Sequence, residues 1–226
     1  MMTENDIAIA EEKNSRTSTT GHLDFDRLGC LIIKDLYDVK DLIESPPRER
    51  GVLRYGKRIT EFTHIPEEDQ VNGSLSRYSY PKYKLVHTEI RKRIEKIINK
   101  KLFNTYYYDR FYFPGQKLDN HVDRDACEIS VTLHISSNPK FIEWPIGIKT
   151  AEGFRESAIL YPGDAMLYKG CERPHWRDEL KSSYSNKELF LKKIKKETDD
   201  TWYHQIFFHY VLADGYRVHY AGDIGN

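Results

Sequence analysis

The clearest hydrophobic pattern lies between Pro81 and Leu102, where Val86, Ile90, Ile94, Ile97 and Ile98 recur at spacings of three and four and form one stripe. Proline suits the first turn of a helix, and Glu89 with Arg93 and Arg91 with Glu95 pair opposite charges four apart on the outer side. The spacing predicts one amphipathic helix laid against the outside of a sheet. Downstream, aromatic and β-branched runs bounded by turn residues predict strands at Thr105–Phe113, Cys127–Ile135, Ala158–Tyr161, Ala165–Lys169 and Trp202–Leu212. Upstream, Cys30–Ile33 suits a short buried strand, and Asp38–Glu44 suits a short helix that Pro46-Pro47 ends. Residues 48–80 mix charge, glycine and aromatics without a clear period and read as an irregular flap. Helix first and then many strands points to a mainly β domain with helical support, a sandwich or jelly roll.

Residues 1–22 are polar and poor in large apolar groups, so they bury too little surface to offset ordering entropy and read as a flexible tail. The rest, 23–226, reads as a single domain. It carries a lysine-rich insertion at about 178–201, far longer than a tight strand connection needs. Ser185 and Glu188 form a capping-box signal for a helix through Lys196. Its lysines read either as a solvated helix face or as part of a lid that meets an acidic partner or substrate.

The balance of 35 basic and 35 acidic residues removes any global electrostatic argument for nucleic acid or an anionic membrane. The 16 tyrosines and 10 phenylalanines, concentrated in the strand-like runs, strengthen the β reading. Cys30, Cys127 and Cys171 are odd in number and widely spaced, which argues for reduced thiols and a cytoplasmic location. Ile7–Ala10, the apolar run near the start, is flanked by acidic residues and lacks the pattern of a signal peptide; no stretch approaches membrane-spanning length.

His121 and Asp123 stand two apart on a strand-like segment, so their side chains share one side. A third ligand such as His175 would complete two imidazoles and one carboxylate, the donor set of non-haem Fe(II) oxygenases. Context strengthens the pair. Tyr112, Gly115 and Gln116 precede it, and Pro162-Gly163-Asp164 precedes His175. This ordered set, over roughly residues 80–215, resembles the Fe(II)/2-oxoglutarate-dependent oxygenases of the prolyl 4-hydroxylase-like branch.

The resemblance implies a double-stranded β-helix (jelly roll, cupin-like). It implies His121, Asp123 and His175 as ligands of Fe(II), Tyr112 as a hydroxyl donor to 2-oxoglutarate, and O2 as the oxidant, with ascorbate as an accessory reductant. The reaction it implies hydroxylates a C–H bond of a peptidyl prolyl, another amino-acid side chain or a small molecule, with release of succinate and CO2. Family members carry a cation at the start of the last strand for the distal carboxylate of 2-oxoglutarate, and Trp202–Leu212 has none. Arg177, two residues after His175, is the expected replacement, because its planar fork suits a carboxylate.

The resemblance also reverses the ordinary sense of Cys127–Ile135, so that polar Thr132 and His134 line the pocket, and parity adds Gln205 and His209. Each of these four reads equally as a satisfied interior polar group. Arg124, beside the metal pair, could reach substrate, and Cys171 is set aside because a thiolate suits other metals better. A cupin-like metal enzyme that ignores 2-oxoglutarate, and a non-catalytic jelly-roll binding module, are the alternatives.

Overall fold

The computed structural model describes residues 21–56 and 61–225. Twelve strands and three α-helices order these residues. Residues 21–28 form α1, followed by β1 (Cys30–Ile33), β2 (Gly51–Tyr55), β3 (Phe62–Ile65), β4 (Leu75–Tyr78) and α2 (Lys84–Ile98). Then come β5 (Leu102–Tyr112), β6 (Leu118–His121), β7 (Ile129–Asn138), β8 (Ile146–Lys149), β9 (Arg155–Ala158) and β10 (Ala165–Tyr168). β11 (His175–Arg177), α3 (Asn186–Ile194) and β12 (Trp202–Leu212) complete the order.

The strands form two sheets, one of eight in the order β1-β10-β7-β12-β5-β4-β2-β3 and one of four in the order β6-β11-β8-β9. From β5 onward the chain passes repeatedly between them: β5, β7, β10 and β12 lie in the large sheet and β6, β8, β9 and β11 in the small one. That alternation is a double-stranded β-helix, as the sequence implied. Its two sheets face each other across a shared interior.

Outside the large sheet, Val86, Ile90, Ile94 and Ile98 of α2 are buried in one cluster with Val131, Leu133 and Ile135 of β7 and Phe208 and Tyr210 of β12. Each such side chain contributes roughly 1.5–3 kcal/mol of burial. Because α2 takes the apolar face of β7, the polar positions Ser130, Thr132 and His134 are left for the interior, the reversal expected from the resemblance. Asn99, in the left-handed conformation at φ 53°, ends α2 and turns the chain into β5.

Several local expectations are corrected. Residues 48–80 are not irregular throughout: β2, β3 and β4 extend the large sheet, with β2 pairing in parallel with β4. The expected helix over Asp38–Glu44 shrinks to one 3-10 turn at Lys40–Leu42. The strand placed at Ala158–Tyr161 lies at Arg155–Ala158, and β8 was not foreseen. Cys127 belongs to a 3-10 turn, Asp125–Cys127, with β7 starting at Ile129. The expected tail lies outside the described residues except for 21 and 22, which are helical. In the insertion, α3 has the anticipated capping box between Ser185 and Glu188, and none of its residues is buried.

Candidate metal centre and cosubstrate pocket

β6 and β11 are antiparallel neighbours with His121 opposite His175, so the register itself places the two imidazoles together. Asp123 lies just past β6, held by its backbone N–H to the Gly170 carbonyl at 2.9 Å. Its Oδ1 is 3.5 Å from Nε2 of both histidines, and the three ligand atoms all lie within 4.8 Å of one another. Both rings are oriented alike. His121 Nδ1 meets the Asp119 carbonyl at 2.8 Å and His175 Nδ1 meets the Arg173 carbonyl at 3.0 Å. Each Nδ1 is therefore the protonated nitrogen, and each Nε2 presents a lone pair to the same point, the arrangement that backbone acceptors impose on metal-binding histidines.

Burial alone raises the pKa of Asp123, yet its contacts with His121 and His175 outweigh it and hold the carboxyl well below its ordinary range. For His121, burial lowers the pKa, while Asp123 and the Asp119 carbonyl more than compensate, so the net shift is upward. Ser130 fixes the carboxylate from behind by donating to Asp123 Oδ2 at 2.9 Å. His209 Nδ1 lies 3.0 Å from the same hydroxyl oxygen. Because the single hydroxyl hydrogen goes to Asp123, His209 is the donor of that pair. Tyr168 packs its ring against His175 at 4.6 Å and touches Thr132 Oγ1 at 3.5 Å.

Toward the other end of the interior lies Arg177, 2% exposed. Its guanidinium lies against the rings of Trp144, 4.5 Å away, and Tyr203, 5.1 Å away. Tyr112 packs edge-on against Trp144 at 4.9 Å, and Tyr203 stacks on His134 at 4.0 Å. Nη1 of Arg177 donates to the Trp144 carbonyl, while Nε and Nη2 are buried without a protein partner. Both polar atoms of the Gln205 side chain are likewise buried and unpartnered. A buried guanidinium with two idle donors needs an anion, which fits a dicarboxylate cosubstrate. His134 is kept neutral, its pKa pushed down to about 3 by burial and by the charge of Arg177. His209 is pushed down to about 4, chiefly by burial.

The structure thus brings His121, Asp123 and His175 together, sets Thr132 and His209 behind that trio, and puts Tyr112, His134 and Arg177 in one aromatic cluster. Arg124 is removed from the candidates: it pairs with Asp223 at 2.5 Å and covers the Tyr106 ring. Sequence reading missed Arg110, Trp144, Tyr203 and Gln70. The signal for Arg110 was parity with Tyr112 on one strand, and nothing in the sequence marks Gln70.

Two other groupings among the described residues bring three potential ligands together. In Asp123, Cys127 and His209, burial pushes the Cys127 thiol far above its usual range, so it stays protonated and ligates poorly. In Glu44, Asp109 and His204, the guanidinium of Arg77 already supplies the cation, meeting Glu44 Oε1 at 2.6 Å and Asp109 Oδ1 at 3.0 Å.

No protein-family model matches the chain, and no curated protein matches its sequence. Solved structures do. A Pseudomonas putida prolyl-4-hydroxylase superposes with a TM-score of 0.51 at 12% identity, covering 85% of this chain and 98% of that one. A 2OG-Fe(II) oxygenase family oxidoreductase from Burkholderia pseudomallei gives 0.55 at 8%, with 92% of each chain covered. A prolyl hydroxylase from Trichoplax adhaerens, solved with a hypoxia inducible factor peptide fragment, gives 0.54 at 13%, covering 89% and 92%. At these identities the likeness speaks for the fold, and the fold of this chain is the double-stranded β-helix found in Fe(II)/2-oxoglutarate oxygenases.

Proposed function

We propose that the protein is an Fe(II)- and 2-oxoglutarate-dependent oxygenase that hydroxylates a C–H bond of an amino-acid or peptidyl substrate. The observation that carries this reading is the pairing, in one interior, of a two-histidine, one-carboxylate cluster with a buried arginine whose Nε and Nη2 have no protein partner. His121, Asp123 and His175 would hold the iron, and Arg177 and Tyr112 would hold 2-oxoglutarate. When bound, the iron and cosubstrate supply an O2-dependent oxidation of the substrate C–H bond, with succinate and CO2 as co-products.

The chain's own residues bind, orient and exclude water. The Asp119 and Arg173 carbonyls fix the imidazole tautomers, and Ser130 fixes the carboxylate so that Oδ1 faces both histidines. Arg177 offers two parallel donors to a carboxylate inside walls of Trp144 and Tyr203, where little water competes. The idle cation argues against a metal enzyme that ignores 2-oxoglutarate, because such a chain has no use for it. The three cysteines are free, which suits the cytoplasmic location proposed for it.

The test is turnover. Purified protein with Fe(II), ascorbate and 2-oxoglutarate should convert 2-oxoglutarate to succinate with matching O2 uptake, and His175→Ala and Asp123→Ala should abolish both. Conversion that persists in both variants, or absence of conversion in metal-loaded wild type across amino-acid and peptide substrates, contradicts the reading.

A further inference from the structure

Among the described residues two arginines, Arg110 and Arg177, are sealed inside the barrel, and a single dicarboxylate cosubstrate accounts for one. The other, Arg110, lies two residues before Tyr112 on β5 and is fully buried. Its Nε donates to Ser76 Oγ at 2.8 Å, and its Nη1 to Gln70 Oε1 at 2.8 Å and to the Tyr112 hydroxyl at 3.4 Å. Its Nη2 stands 3.2 Å from Glu68 Oε1 but is misaligned and makes no hydrogen bond. Glu68 Oε2 is also buried without a partner.

Glu68 and Gln70 belong to the loop of residues 66–74 that joins β3 to β4. Val71 of that loop is buried among Tyr106, Tyr108, Tyr112 and Leu118. Gln70 Nε2 comes within 3.3 Å of Nε2 of His121, the nitrogen that faces the metal position. The Arg110–Glu68 pair is therefore separated from the metal centre by one carboxamide. One partner is on the barrel wall and the other on the loop.

As a structural device the pair is poor. Each buried group left without its hydrogen bond is destabilising, and apolar residues of similar volume usually serve stability better. The contrast is Arg77, which meets two carboxylates and the Tyr83 hydroxyl. The unused atoms of the Arg110 pair are one donor on the cation and one acceptor on the anion. A ligand that completes both must carry an acceptor anion and a donor cation, close together because the partners are themselves in contact. It must also be neutral overall, since an extra buried charge without a partner is strongly destabilising. An α-amino acid zwitterion meets all three conditions, and an internal residue of a peptide, which has neither charge on its backbone, does not.

We propose that Arg110 and Glu68 form the substrate subsite of the oxygenase and take a free α-amino acid, its carboxylate on Arg110 Nη2 and its ammonium on Glu68 Oε2. This rests on the oxygenase reading above and narrows its substrate from amino-acid or peptidyl groups to free amino acids. The loop of residues 66–74 then acts as the lid over the bound substrate, with Glu68 as its recognition residue.

The experiment is isothermal calorimetry with each proteinogenic L-amino acid, on protein loaded with Fe(II) and 2-oxoglutarate under argon and on metal-free protein. For the tightest binder, the desamino acid and the primary amide are measured as well, in wild type and in Glu68→Gln. At least one amino acid binds, and each analogue binds at least about tenfold more weakly in wild type. In Glu68→Gln the penalty for removing the amine shrinks to about twofold or less, because the partner of the ammonium is already gone. The proposal is overturned if no amino acid binds, if the analogues bind as tightly as the parent, or if the amine penalty survives in Glu68→Gln. Should Glu68→Gln not fold, the wild-type analogue series decides alone. Loss of the 2-oxoglutarate absorption band with amino-acid binding intact would sink the oxygenase reading and leave the subsite standing.

Discussion

Replacing Arg177 by methionine should move stability and cosubstrate affinity in opposite directions. In the protein without cosubstrate the guanidinium is buried, with Nε and Nη2 idle and Nη1 bonded to the Trp144 carbonyl. Two idle buried donors cost roughly 1–3 kcal/mol each, and the one bond made returns about 1 kcal/mol. Methionine keeps an unbranched apolar stem between Trp144 and Tyr203 and removes the buried charge. The expected net effect is a gain of about 1–5 kcal/mol, or a rise of several degrees in Tm for a domain of this size. Binding 2-oxoglutarate loses a charge-assisted fork, worth about 2 kcal/mol or more, so its Kd should rise at least about 30-fold. Urea unfolding of metal-free protein reads the first effect, and calorimetry of 2-oxoglutarate with Fe(II)-loaded protein under argon reads the second. A variant that is clearly destabilised while its 2-oxoglutarate affinity stays within about threefold of wild type would make Arg177 a structural residue and refute the reasoning.

Gly170→Ala should damage the metal centre, because a Cβ there would stand 2.3 Å from the Cys127 carbonyl and 2.5 Å from Asp123 Oδ2 and Ser130 Oγ; the check is Fe(II) stoichiometry, and full occupancy in the variant would count against it. His87, buried between α2 and β12, has its pKa pushed down to about 3 chiefly by burial, whereas in the unfolded chain it titrates near 6.5. The unfolded state therefore binds the proton first, so stability from neutral His87 is present above about pH 6.5 and is lost at up to about 1.4 kcal/mol per pH unit as pH falls toward 3. His87→Gln should flatten that part of the pH–stability curve measured by urea unfolding. Ser185→Ala removes the capping box of α3 at a local cost of about 1 kcal/mol. Since α3 buries no residue, hydrogen exchange over 186–194 should speed up while the global Tm stays put.

What the sequence made legible follows from how local each signal is. α2 was readable because Val86, Ile90, Ile94 and Ile98 form one stripe that meets one partner face. The cluster of His121, Asp123 and His175 was readable because H-x-D is local and the turn at Pro162-Gly163-Asp164 announces the approach of His175. The flap was not. β3 exposes all four of its residues, and β2 pairs in parallel with β4 although β3 comes between them in sequence, so neither shows the alternation of a half-buried strand. β8 escaped notice because Gly147 lacks a strand-forming side chain. A Cβ there would fall 2.3 Å from the Trp176 ring, so glycine is set by that close contact. Arg110 and Asp109, adjacent and charged within an aromatic run, carry no local mark of their surroundings; both are fully buried, on opposite faces of β5, each answered by partners distant in sequence. Arg177 was found only because a resemblance called for a cation and none stood where it was expected.

The central claim is that one interior holds both Fe(II) and 2-oxoglutarate. Its most direct test is an anaerobic titration of metal-free protein with Fe(II) and then 2-oxoglutarate, following the visible charge-transfer absorption of the chelate. The account predicts one Fe(II) per chain and a band that saturates with 2-oxoglutarate, is absent in His175→Ala, and needs far more 2-oxoglutarate in Arg177→Met. Stoichiometric Fe(II) without any band would contradict the cosubstrate assignment, and failure to bind Fe(II) would contradict the metal centre itself.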